Sequence, residues 1–484
     1  MWTLRLVAAA LALSGFVNSA LADDNVVQVI NHGVAAFEKR FEMIQNATKR
    51  IDVEYFIYNT DEAGRIFSQA LVKKKQEIPS IKIRVLIDAS AAVLQLKAPY
   101  ITALRNHGIE VRYYNTASII TEFGEAQFRD HRKLLAVDGV SGLEAITGSR
   151  NIADEYFDMS ETFNFRDRDV YVRGPLVAQM QADFDAYWNH EYTVPGPAYG
   201  KWDARARKWT YTSSELKKLK KGEKFLQENH EDSMIRGGIR QVSKAILADP
   251  RSTGTCESTT YVTDVPGYQS EKTRRVLPQI FDRLMKVPSG ETLYVESPYF
   301  IMGDQKAIDE MARLKKRNIH GVLLTNSLAS TDAFYVAANF DSKVSFYESI
   351  GDAEMYVFKG QTPKNNPTLM VTNGKRRWAR TEKAIWGIHS KTFVFSDDAF
   401  AIGTFNLDPR SANLNSEMMV FCEGSRPLTE FVKEDIEDRI GASDLLDQDG
   451  KLPDGRSIFD GISRWKKFEY KLSIKPAQWF QHLL

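Results

Sequence analysis

The sequence predicts an α/β protein built from two pseudo-symmetric halves, each a mixed, mostly parallel sheet flanked by helices, with one active site at their interface. Three observations predict it. A strand–turn–helix pattern occurs twice, a second apolar strand follows each copy, and a His-x-Lys segment leading to a Gly-[Ser/Thr]-x-Asn loop also occurs twice.

The first repeat begins at Ile51 with "IDVEYFIYNTDEAGRIFSQALVKKK", the second at Glu291 with "ETLYVESPYFIMGDQKAIDEMARLKKR". Each reads as a short apolar strand ending in Tyr-Phe-Ile, then a turn and an amphipathic helix. Tyr55 and Tyr299 correspond, an offset of 244 residues. Buried-type strands follow at Ile81 to Asp88 and at His320 to Asn326. Strand–helix–strand units of this length favour parallel pairing. The motif segments come next, His131 to Asn151 and His389 to Asn406, each reading as strand, turn, strand and loop. Their His-to-Asn separations are 20 and 17, so the first hairpin carries extra residues near Val140 to Glu144. The halves are expected over 23–195 and 242–440. Residues 196–241, with "ELKKLKKGEK", read as a polar linker or solvated helix face, and 441–484 as a C-terminal tail.

Lys and Arg number 64 against 63 Asp and Glu in 484 residues, so no global field draws the chain to nucleic acid. The first 22 residues have the pattern of a secretory leader. Arg5 gives the basic start, Leu6 to Val17 the apolar core, and Ala20-Leu21-Ala22 a cleavage site before Asp23. The alternative is an uncleaved anchor, for which the apolar core is short. The mature chain is expected in the periplasm or outside the cell. Membrane contact is expected to be peripheral, with Trp479, Phe480, Leu483 and Leu484 suited to an interface. Whether Cys256 and Cys422, the two cysteines, pair is open at this level.

Alternation along a strand puts His131 with Lys133, and His389 with Lys391, on one face. If the halves pack about a pseudo-two-fold axis, both pairs converge on one pocket. Two ammonium groups beside two imidazoles repel a metal cation, so neither metal nor cofactor is expected; they suit a phosphate. Asn151 and Asn406 add amide donors, Ser149 and Thr404 hydroxyls. Near neutral pH one imidazole can attack phosphorus while the other, protonated, serves the leaving alcohol. Asp169 in "FRDRDVYV" and Glu417 in "LNSEMMV" are the expected orienting acids, one per half. The alternative is that Asp167, Asp169 and Glu417 are ordinary strand-edge charges. Asp138, followed by Gly139, closes the first motif strand; Ser396 holds the matching place, with Asp397 one step late. Parity turns this position away from the histidine face, so Ser396 is expected to be a turn residue in a working site.

Paired H-x-K segments, the first completed by Asp138 as H-x-K-x4-D and the second with Ser396 in that place, each followed by G-[ST]-x-N, resemble the phospholipase D superfamily. "HRKLLAVDG…GSRNIADEYF", "LLTNSLASTD" and "HSKTF…IGTFNLDPRSANLNSEM" resemble the bacterial type C cardiolipin synthases in particular. The resemblance implies two similar halves around one site, and transfer or hydrolysis of phosphodiesters through a phosphohistidine. It favours His131 as nucleophile and His389 as acid/base, roles that pseudo-symmetry leaves exchangeable. Phosphatidylglycerol, phosphatidylethanolamine or cardiolipin would be the substrates. Two rival readings are a secreted nuclease, which near-zero net charge disfavours, and an inactive lipid-binding module, which the intact histidines disfavour.

Overall fold

The computed structural model describes residues 25–479 apart from 93–95, 118–120, 303–304, 342, 362–383, 448, 453–455, 457–458, 460–461 and 463. The expected leader at 1–22 lies outside the described residues, as do Phe480, Leu483, Leu484 and the side chain of Trp479.

The first half contains β1 (Val26–Ile30), β2 (Ala47–Tyr55), β3 (Lys82–Asp88), β4 (Glu110–Tyr114), β5 (Lys133–Gly139), β6 (Gly142–Gly148), β7 (Phe163–Arg166), β8 (Asp169–Arg173) and β9 (Thr193–Pro195). A small hairpin, β10 (Lys201–Asp203) and β11 (Lys208–Thr210), and a short strand, β12 (Thr253–Gly254), follow. The second half holds β13 (Ser258–Thr263), β14 (Thr292–Glu296), β15 (His320–Asn326), β16 (Ala353–Phe358), β17 (Ile385–Ile388), β18 (Thr392–Ser396), β19 (Ala399–Gly403), β20 (Met418–Glu423) and β21 (Ser443–Leu445). One sheet runs β12-β1-β8-β6-β5-β2-β3-β4-β9, the other β13-β20-β19-β18-β14-β15-β16-β21. With the edge strand β12 set aside, the two orders match strand for strand.

Parallel pairing is narrower than the sequence suggested. It joins β2 to β3 to β4 and β14 to β15 to β16, where helical crossovers return the chain. Every other neighbour in these two sheets is antiparallel, because the motif segments fold back as hairpins. The first crossover helix, Glu62–Glu77, starts where Asp61 accepts the Gly64 amide at 3.1 Å, and it buries Ala63, Ile66, Phe67 and Leu71 at helical spacing.

The two sheets share a core. Leu134, Ala136, Val170 and Val172 from one meet Val394, Phe400, Ile402 and Val420 from the other, with the helices Leu176–Trp188 and Arg426–Gly441 contributing Val177, Phe184, Val432 and Ile436. The stretch expected as a polar linker or helical connection is largely helical and packs on the first half. Its lysines are exposed, but helices Ser213–Leu226 and His230–Leu247 bury Leu219, Phe225, Leu226, Ile235 and Ile239 in that half's outer core. Nor is the C-terminal region a detached tail: β21 edges the second sheet, and helix Arg464–Trp479 packs on Phe334–Asp341. Cys256 and Cys422 form a disulfide beside the β13–β20 pair. Among the described residues, no helix is long and apolar enough to cross a membrane.

Candidate active site

Each histidine lies just before a hairpin strand and is held by backbone from the opposite half. Asp130 bridges Ser416 in parallel, and the His131 amide donates to the Ser416 carbonyl at 3.0 Å. In the matching place β17 pairs in parallel with β7, and the His389 amide donates to the Arg166 carbonyl at 3.0 Å. These crossings bring the residue after each partner, Glu417 and Asp167, to an imidazole. His131 Nδ1 is 2.9 Å from Glu417 Oε2, and His389 Nδ1 is 2.9 Å from Asp167 Oδ1. Each histidine is thus oriented by an acid from the other half. The expectation that Asp169 serves here is corrected: Asp169 is buried on Arg40, 2.8 Å away, and Arg150, 3.3 Å away.

With Nδ1 engaged, Nε2 is the ring nitrogen left for chemistry. Lys391 Nζ lies 3.1 Å from His389 Nε2, and Lys133 Nζ donates to the His131 carbonyl at 2.5 Å. Both lysines and both histidines are buried. The halves meet electrostatically as well: Lys133 and Lys391 act on each other, and both act on His131. Burial, then these lysines and Arg410, hold His131 well below the usual histidine range. Burial and Lys391 lower His389 to about 4, against the pull of Asp167. Both shifts favour the neutral imidazole. Burial also brings Lys133 down to about 7 and Lys391 to about 8, opposed by Glu417 and Asp167 respectively. The two acids differ. Burial raises Glu417 to about 7, whereas His389, Arg150 and Lys391 outweigh burial and keep Asp167 below the ordinary carboxylate range.

The downstream loops brace this arrangement. Thr404 Oγ1 donates to Glu417 Oε2 and accepts the Met418 amide at 2.9 Å, while Ser411 Oγ donates to Glu417 Oε1 at 2.7 Å. Asn151 Oδ1 accepts the Ile57 amide at 3.0 Å, and Asn406 Oδ1 is buried without a hydrogen-bond partner among the described residues. Ser149 is structural: its hydroxyl is 3.2 Å from both the carbonyl and the amide of Arg168. Asp138 accepts from Gln181 Nε2 at 2.7 Å, away from the imidazoles. Ser396 bonds Asp398 Oδ1 at 2.7 Å within the turn, beside a register shift between Val394 and Ser396, and Asp397 pairs with Arg426 at the surface. Phe405 and Leu407, interleaved with Thr404 and Asn406, line an apolar cavity with Leu293, Val295 and Phe393. Its volume is about 150 Å³, and it opens to solvent.

Three residues near the imidazoles carried no assigned role in the sequence. Asp167 was legible only as one of two neighbouring acids. Arg410 acts on His131, and Asp332, which accepts the Tyr299 hydroxyl at 3.0 Å, acts on His389 and Lys391. Their signal lay in "FNLDPRS" and "LASTD", next to recognisable motifs. Among the described residues no group of three or more His, Cys, Asp or Glu side chains could hold a metal ion.

The family model described as "Cardiolipin synthase, PLD-like domain" matches residues 41–188 and 284–439, one segment in each half. The chain belongs to this phospholipase D-like family. Cardiolipin synthase C of Escherichia coli K12 is 27% identical over 482 residues, covering 92% of this chain and 93% of that protein. A cardiolipin synthase of Geobacillus sp. WCH70 is 25% identical, covering 86% of this chain and 67% of its own length. Among solved structures, phosphatidylserine synthase of Haemophilus influenzae Rd KW20 shares the family fold, with a TM-score of 0.62 at 16% identity over 95% of each chain. The two matched segments of the family are the two halves whose acids cross.

Proposed function

We propose that this protein is an exported phosphatidyltransferase of the cardiolipin synthase type, working through a covalent phosphohistidine. The observation that carries the reading is the crossed pair of His–acid couples flanked by two buried lysines. The lysines hold the phosphodiester oxygens. The His131 Nε2 lone pair attacks phosphorus, and the bond to the leaving alcohol breaks. The bound anion offsets the lysine charges, so His389, backed by ionised Asp167, takes up a proton from solution and passes it to that alcohol. In the second half-reaction His389 removes a proton from the incoming alcohol, whose oxygen displaces His131 from phosphorus. Asp167, lower than Glu417, suits the imidazole that must carry the proton, and this supports His389 as acid/base.

A lipid substrate is supported by the cardiolipin synthases among the relatives. Phosphatidylglycerol or phosphatidylethanolamine would donate the phosphatidyl group, and a second phosphatidylglycerol would accept it. Export, with membrane contact from one side, is supported by the leader-like residues 1–22 and the Cys256–Cys422 disulfide. The test is mass spectrometry of products from mixed phosphatidylglycerol and phosphatidylethanolamine in detergent micelles, with plasmid DNA in a parallel arm. Cardiolipin formation, nearly abolished by His389→Ala, is expected, with a phosphatidyl adduct on the His131 peptide. Phosphatidic acid alone would mean water is the acceptor; DNA cleavage without lipid turnover would overturn the reading.

A further inference from the structure

Helix Arg464–Trp479 has one docked face and one bare face. On the docked face Tyr470 is buried and donates to Asp341 Oδ2 at 2.8 Å, and Lys466 Nζ donates to the carbonyls of Ala329 at 3.3 Å and Thr331 at 2.9 Å. On the bare face Trp465, Phe468 and Leu472 are 68%, 52% and 61% exposed, with the first two rings 5.7 Å apart. At helical geometry these three fall within an arc of about 60°. Arg464, Lys471 and Lys475, all exposed, lie along one edge of that stripe. The only acid between 464 and 475, Glu469, is half-buried beyond the other edge.

We propose that this face docks on an anionic phospholipid surface, the stripe entering the acyl boundary and the three cations meeting headgroup phosphates. Scattered apolar side chains on a surface need no explanation, but a contiguous stripe with a cationic border is the pattern that binds interfacially. A second copy of the chain fits less well. An antiparallel two-fold contact through this stripe would set Arg464, Lys471 and Lys475 close to their own duplicates. The helix also reaches the site: Lys466 holds the loop that ends in Asp332, whose charge acts on His389 and Lys391. Docking here would bring that rim to the surface supplying phospholipid; this consequence rests on the lipid reading above.

The test uses the full chain with phosphatidylcholine vesicles, with or without phosphatidylglycerol. Trp465→Ala/Phe468→Ala/Leu472→Ala is expected to lower the vesicle-bound fraction about tenfold or more. Arg464→Gln/Lys471→Gln/Lys475→Gln should remove the preference for phosphatidylglycerol and its salt dependence. Hydrogen exchange gives a local reading: amides at 464–475 should gain protection on phosphatidylglycerol vesicles. Unchanged sedimentation of the apolar triple variant, or unchanged exchange at 464–475, overturns the proposal. So does a dimer that this variant dissociates without altering vesicle binding. Turnover in micelles should persist in both variants, so a wild type inactive in micelles would sink the lipid reading while leaving helix docking separately measurable.

Discussion

Asp167 and Asp169 stand on either side of Arg168, and strand register decides which one meets a histidine. Asp169 pairs with Gly148, whereas Gly403 pairs with Met419, so the counterpart of Glu417 is Asp167, two residues earlier. Acidity and alternation are the same at both positions; only pairing between strands distant in sequence separates them. The histidines and lysines were legible because each pair is local and repeated. Asp167→Asn should lower kcat about 100-fold or more with little change in KM, since it removes the charge behind an imidazolium. Asp169→Asn should instead lower Tm by stranding Arg40 and Arg150, with kcat within about tenfold of wild type. Equal losses of kcat in both variants would refute this division. Ser396→Asp, confined to a turn, should change turnover by less than about tenfold. The pH profile follows from burial. The lysines are charged only below about 7 and about 8, so phosphate binding should weaken and KM rise as pH climbs through that window. His389 is neutral above about 4 and His131 is lowered too, so the acid limb of kcat/KM should lie well under the usual histidine value. An acid limb at an ordinary histidine pKa would show that the lysines do not act on the imidazoles as described.

Individual elements show where local pattern was sufficient and where it failed. The crossover helices and hairpins carry their signals within one window: periodicity, a capping Asp61, a turn after Gly139. Residues 196–241 mislead because the eye is drawn to lysines. Capping boxes at Thr212–Glu215 and Asn229–Asp232 mark helix starts, yet the buried Leu219, Phe225 and Leu226 alternate with exposed Lys217, Lys218 and Lys220. Docking is settled by close approach: a Cβ on Gly222 would lie 2.1 Å from the Pro99 carbonyl oxygen. The disulfide was illegible for a related reason, because 166 residues separate cysteines that only the β13–β20 pairing brings together. Its closure of so long a loop carries a prediction. Cys256→Ser/Cys422→Ser, or reduction of the wild type, should lower unfolding free energy by about 2–5 kcal/mol. Activity below the new melting transition should survive, since the bond lies in no contact with the imidazoles. Denaturant titration with and without reductant measures the first, and turnover at low temperature the second.

At the scale of the whole molecule, the halves are joined by more than a shared face. Glu296 on β14 accepts from Arg168 of the first half at 2.7 Å and from Arg439 of the second, and both arginines also pair with Asp435. Arg439 further donates to Ser390 Oγ at 2.8 Å and to the carbonyls of Arg166 and Asp167 at 3.3 Å. The buried charges that tie the halves therefore also fix the segment that holds His389. Interfaces between domains of one chain are commonly small and polar, and such domains melt separately. Here the common apolar core and the buried ion network predict one cooperative transition by calorimetry. Glu296→Gln keeps the shape but leaves two buried guanidinium groups short of a counter-charge, a change costing about 3–5 kcal/mol. That transition should move down by several degrees without splitting, and turnover should fall with it even well below the melting range, because His389 loses its fixed setting. Two separate transitions in either protein would mean that the halves fold independently and merely touch, and an active site shared between them would then lose its structural support.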